Sequence, residues 1–153
     1  MDMMQQVQKE LDSLKQAVKA DPRNVAALSR LASLYMDAGM YDQAAKFYGD
    51  ALSVDPSNIH TRTDLGSCLL MMGKADDALK ELKDAASRDP GHGQTWYWMG
   101  LAHIERGEYV EGEAALAKAL ELNPGSFDMA ALRAEIEKVK AKRAGKPGGV
   151  SPS

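Results

Sequence analysis

Three histidines, one cysteine and a few adjacent acids are the side chains in this chain that could do chemistry. A metal site on a helix or short loop needs ligands about one turn apart, whereas His60, His92 and His103 are separated by 32 and 11 residues. Cys68 stands alone, which excludes an internal disulfide and a cysteine zinc cage. It shares a helical run with Leu65 and Leu69, the setting of a small buried hydrophobe more than of an activated thiolate. Paired carboxylates suit acid–base work, but Asp76 and Asp77 fall at a helix start, where the helix dipole favours negative charge. There is no glycine loop to cradle phosphate and no nucleophile elbow. The pattern argues against an enzyme and calls for no metal or cofactor.

Lys138, Lys140, Lys142, Arg143 and Lys146 make the C-terminal end basic, a charge that could touch anionic lipid or nucleic acid. No aromatics are interleaved, and cations also favour a helix C-terminus, so this reads as a solvated helix end. The net charge of −3 argues against general attraction to nucleic acid. With 44% hydrophobic residues the chain can bury a core, and its apolar runs are far shorter than the roughly 20 residues that span a bilayer. The start, MDMMQQVQKE, is neither a signal peptide nor a stop-transfer segment, so the expectation is a soluble domain without membrane contact, cytoplasmic by default.

The elements that carry these residues are set by punctuation. Pro22, Pro56, Pro90 and Pro124 are each 34 residues apart, and each follows Asp or Asn. Ahead of them run Ala-rich amphipathic stretches such as YDQAAKFYGDALSV, with Ala44, Tyr48 and Ala51 at helical spacing. Proline lacks an N–H and pushes its predecessor out of the α region, so each one ends a helix. Asn24, Ser57, Gly91 and Gly125 then lead into the next. Half a period on, Gly39, Gly73 and Gly107 mark turns, since glycine takes the left-handed conformation that closes a helix. One period is helix, Gly turn, helix, Pro turn.

Superposing the periods aligns Leu31, Leu65 and Met99; then Ala32, Gly66 and Gly100; then Tyr35, Leu69 and His103. In the second helix Ala44, Ala78 and Gly112 align, as do Tyr48, Leu82 and Leu116, and Ala51, Ala85 and Ala119. Small residues let antiparallel helices approach while large neighbours fill the space around them. His103 in such a column is expected to be a satisfied core histidine. The columns resemble those of the tetratricopeptide repeat, with its 34-residue period and Trp, Leu-Gly, Tyr, Ala, Phe, Pro pattern. The third unit, WYWMGLAHIERGEY, carries Trp96, Met99 and Gly100, while Arg62 stands in the Trp96 column, His103 replaces an aromatic and Gly112 replaces alanine.

The resemblance implies an all-α fold: an α-solenoid, a right-handed superhelix of three helix-turn-helix repeats (approximately 24–56, 58–90 and 92–124) in one domain, 1–143. Before Pro22, Leu14 and Ala17 occupy the Tyr48 and Ala51 columns, so residues 2–20 read as a half-repeat helix covering the N-terminal face. After Pro124, Phe127, Ala131, Leu132 and Ile136 fall on one face of a capping helix, 126–143. The Gly, Pro and Ser-rich segment 144–153 is expected to be a disordered tail.

Fold alone does not give function. In the family the first helices line the concave side, which implies a partner groove of Ser29, Ser33 and Met36; His60, Thr63, Ser67, Leu70 and Met71; and Gln94, Tyr97, Leu101 and Ile104. Apolar side chains gather towards the third repeat, so a bound segment is expected to anchor by apolar side chains. The competing expectation is that the C-terminal helix folds over part of this patch. The family's chaperone adaptors hold a peptide's terminal carboxylate with a clamp of lysines, asparagines and an arginine. The corresponding residues here are Ser29, Ser33, Asp64, Gln94 and Trp98, none cationic, which argues against a chaperone-tail partner. The expected function is therefore a non-catalytic protein–protein interaction module or scaffold. The layout is also similar to the soluble repeat domains of bacterial cytochrome c maturation factors, which implies a periplasmic domain of a membrane-anchored parent as an alternative. Self-assembly into a scaffold is a third, separable by solution mass.

Overall fold

A computed structural model describes residues 1–123, 125 and 128–145. Pro124, Phe127, Lys146 and the rest of the expected tail from 146 lie outside the described residues. Every element among the described residues is a helix: α1 (Met3–Ala20), α2 (Val25–Asp37), α3 (Tyr41–Val54), α4 (Ile59–Met71), α5 (Ala75–Arg88), α6 (Gly93–Glu105), α7 (Tyr109–Leu122) and α8 (Met129–Gly145). The expectation of disorder from Ala144 is corrected at its first two residues, since Ala144 and Gly145 complete the last turn of α8. Packing groups the chain into two compact units, Met1–Gly73 and Lys74–Ser153.

The punctuation works as its chemistry requires. Asp21, Asp55, Asp89 and Asn123, each before a proline position, have left the helical region, with φ near −139°, −130°, −143° and −137° and ψ between 66° and 95°. The next helix is then capped three residues past that residue, where Asn24 Oδ1 accepts from Ala27 N–H (3.0 Å) and Asn58 Oδ1 from Thr61 N–H (3.1 Å). Asn58 and not Ser57 is thus the cap. In the third repeat His92 takes the position and its Nδ1 meets the Thr95 hydroxyl at 2.8 Å. Gly39, Gly73 and Gly107 have φ of 75°, 77° and 76°, the left-handed region. At Gly107 the closing bonds run from Gly107 N–H to the Ile104 carbonyl (2.9 Å) and from Glu108 N–H to the His103 carbonyl (2.8 Å), which satisfies carbonyls the helix leaves open.

In the first unit α2 packs on α1 and α3, and α3 on α4. Its core joins Ala32, Ala44, Tyr48 and Cys68, with Tyr35 stacked on Phe47 at a centroid distance of 5.6 Å. α1 buries no residue fully. Leu11, Leu14, Ala17 and Val18 are half-buried, while Met3 and Met4 near its start are 77% and 80% exposed. The half-repeat helix therefore covers its neighbour through its C-terminal half only.

In the second unit α6 packs on α5 and α7, and α7 on α8. The approach of α6 to α7 is set by two glycines. A Cβ built on Gly112 would lie 2.7 Å from Ile104 Cγ1 and 3.1 Å from the Gly100 carbonyl oxygen, and one on Gly100 would lie 2.8 Å from Leu116. All the aligned second-helix columns, from Ala44, Ala78 and Gly112 to Ala51, Ala85 and Ala119, are buried. α8 adds Leu132, Ile136 and Val139 to a cluster around Leu116. Their spacing of four and three residues is one helical stripe. Ala131, which the sequence pattern puts on that stripe, is exposed, and Val139, 1% exposed, completes the stripe in its stead.

Candidate partner-binding surface

In the first unit the expected groove residues divide by burial. Ser29, Ser33, Met36 and Leu70 are half-buried, and His60 and Met71 are exposed. Thr63 and Ser67 are 2% and 4% exposed, which corrects their assignment as groove contacts. The Ser67 hydroxyl donates to the Asp64 carbonyl one turn back (2.8 Å), and this local bond lets a small polar side chain be buried.

Asp64 lies beside Tyr48, Cys68 and His60. Water reaches part of the residue, yet the surrounding protein pushes its carboxyl up to about 6, partly offset by His60. Burial pushes the Cys68 thiol up to about 12, with Asp64 adding to it, and Cys68 Sγ lies 3.2 Å from Met36 Sδ. A thiol so placed stays protonated near neutrality. Tyr48 is likewise raised by burial, then by Asp64.

The Asp64 shift has a definite sign in stability. The unfolded carboxyl ionises near pH ~3.9, so between there and about 6 the folded state holds the proton more tightly. Ionisation therefore costs stability as pH rises through that window, and the cost persists above it. Asp64→Asn is expected to melt higher than the parent at pH 7, with the advantage shrinking to nothing near pH 4. Parallel melting-temperature curves for the two proteins across pH 4–7 would contradict the assignment.

In the second unit Gln94 is exposed and Tyr97, Leu101 and Ile104 are half-buried. The last three pack against the Leu116, Leu132, Ile136 and Val139 cluster. Ile104 also meets the Gly112 backbone face, so it belongs to the α6–α7 seam and its place in the groove is corrected. The expectation that the C-terminal helix covers part of the apolar patch is met. Between α6 and α8 a cleft of about 370 Å³ remains, lined by Tyr97, Leu101, Asp128, Ala131, Leu132 and Glu135. Asp128, Ala131 and Glu135 are absent from the sequence-derived groove because they belong to a helix whose position over α6 no single-helix periodicity reveals.

The chemistry-bearing residues settle into structural roles. His103 is 8% exposed and its Nδ1 pairs with Glu108 Oε1 at 3.0 Å, a satisfied core histidine; that bond holds the Glu108 carboxyl below its usual range. Asp76, at the start of α5, pairs with Arg106 at 2.6 Å. Of the basic end, Lys138 and Lys140 face Glu135 and Glu137 within α8 (3.6 and 3.2 Å). Arg143 Nη1 lies 2.5 Å from Glu113 Oε2 on α7. Among the described residues no group of three His, Cys, Asp or Glu could hold a metal ion, and no helix is long and apolar enough to cross a membrane.

Antiparallel helices joined by alternate Gly and Pro turns, with small and large residues in register every 34 positions, define an α-solenoid of helix-turn-helix repeats. The chain belongs to the tetratricopeptide repeat family, whose profile matches residues 11–48, 35–87 and 69–136. Solved structures carry the same fold. MamA is 24% identical with a TM-score of 0.73, over 94% of each chain. The first TPR of Spaghetti (RPAP3), bound to the HSP90 peptide SRMEEVD, is 22% identical at 0.73, over 81% of this chain and 96% of that one. The Sgt2 TPR domain from Aspergillus fumigatus is 23% identical at 0.74, over 84% and 85%. A search of curated proteins finds no match.

Proposed function

We propose that this chain is a non-catalytic interaction module that binds a segment of a partner protein, with the α6–α8 cleft as an anchoring point. The observation that carries the reading is the cleft itself, a recess of about 370 Å³ floored by Tyr97, Leu101 and Leu132. Tyr97 and Leu101 are among the residues the family resemblance assigns to partner contact. In support, the RPAP3 domain of the same fold holds a peptide. The clamp positions Ser29, Ser33, Asp64, Gln94 and Trp98 present no cation, so a chaperone's terminal carboxylate is not the ligand proposed.

Leu101→Asp is a poor test of this reading, because Leu101 also supports the α8 cluster. Ala131 is exposed and lines the cleft from the α8 side. Ala131→Trp is expected to fill the recess and weaken binding of a captured, mass-identified partner by about tenfold or more, with unchanged circular dichroism and melting. Equal affinity for parent and variant would remove the cleft from the binding surface.

A further inference from the structure

The cleft's lining specifies the chemistry of what enters it, an inference that rests on the interaction reading above. Its floor is apolar and aromatic, from Tyr97, Leu101 and Leu132, and its charged members are Asp128 and Glu135. Among the described residues none of the lining is cationic. Asp128 Oδ1 accepts from Ala131 N–H at 3.0 Å as the start of α8 is capped, and the residue is exposed. The cation facing Glu135 is Lys138 on the next turn, at 3.6 Å and with its side chain 71% exposed. Such a long, solvated pair within one helix contributes little and is readily exchanged.

Two carboxylates beside an apolar recess disfavour an anionic ligand. A hard metal ion is a poor match, since calcium takes about six to eight oxygen ligands and magnesium about six, whereas this lining offers two carboxylates over a hydrocarbon floor. What satisfies both parts is a side chain with an apolar stem and a cationic head. Lysine and arginine lay their methylenes along apolar surface while the head reaches polar groups. We propose that the α6–α8 cleft accepts a lysine or arginine side chain of a partner segment, its stem against Leu101 and Leu132 and its head between Asp128 and Glu135.

The test uses the full chain and three labelled twelve-residue peptides followed by fluorescence polarisation: one of leucine and lysine, and counterparts with glutamine or glutamate in place of lysine. The lysine peptide is expected to bind about tenfold or more tighter than the glutamine peptide, as a charge-assisted hydrogen bond warrants, and the glutamate peptide not at all. Asp128→Asn with Glu135→Gln is expected to abolish that preference, and asparagine keeps the helix cap so the fold is retained. Glu111→Gln with Glu121→Gln, an equal change of charge on exposed residues outside the cleft, is expected to leave the preference intact. A lysine preference that survives in the Asp128/Glu135 variant, or that falls equally in the Glu111/Glu121 variant, overturns the proposal. Equal binding of lysine and glutamine peptides, lost in Ala131→Trp, overturns the charge assignment and leaves the interaction reading standing. Failure of all three peptides, together with a captured partner indifferent to Ala131→Trp, defeats both.

Discussion

A chain ended after residue 127 is expected to lose much of its stability and to bind a hydrophobic dye. α8 contributes Leu132, Ile136 and Val139 to the cluster around Leu116, and Leu116 is fully buried. Removing one large aliphatic side chain from a core costs about 2–5 kcal/mol, and removing three approaches the ~5–15 kcal/mol by which a whole domain is held folded. The exposed seam would also invite aggregation, since a repeat array needs its end face covered. Val139→Asp tests the same contact with the chain intact, because a carboxylate in that 1% exposed position would have to be buried without a partner. Urea midpoints equal to the parent's in both variants, with no dye binding, would show that α8 is not a structural cap.

Gly112→Leu is the second large effect. The α6 and α7 backbones meet where both helices carry glycine, and even a methyl group on Gly112 would press on the Gly100 carbonyl, a backbone atom that moves only if the helices part. Overpacking of this kind costs ~1–3 kcal/mol and sometimes more. Gly49, by contrast, faces open space within α3, so Gly49→Leu is expected to be neutral or slightly stabilising through helix propensity. Equal melting shifts for the two would mean that the glycine pair does not set the helix spacing.

Gly112 and Ala85 belong to the part of the molecule that is legible in the sequence. Their columns recur every 34 residues, and a side chain that must be small in one repeat must be small in the next because the same helix contact recurs. The turns are legible for a similar reason, since Gly107 and the proline positions act through their own backbone. Thr63, Ser67 and Ile104 are harder to place, because a groove column carried over from a family specifies direction along a helix, whereas burial depends on which side chains stand opposite. Arg143 is the sharpest case. As a sequence symbol it belongs to a basic end, and only the approach of α8 to α7 makes it the counterion of Glu113.

Arg62 and Trp96 occupy one column, and their side chains do the same thing. Arg62 Nη2 donates to the carbonyl of Pro56 at 2.9 Å and Trp96 Nε1 to the carbonyl of Pro90 at 2.7 Å, each reaching six residues back to fasten the turn that precedes its helix. The position thus asks for a long side chain with an N–H at its tip, and a guanidinium and an indole are synonyms there. In the first repeat Leu28 stands in the column, 1% exposed, and substitutes bulk for the tether. A residue alphabet sorted by aromaticity or charge would set these three apart, although two of them spell the same hydrogen bond, so a repeat of this kind can lose its hallmark tryptophan without losing the latch that tryptophan provides.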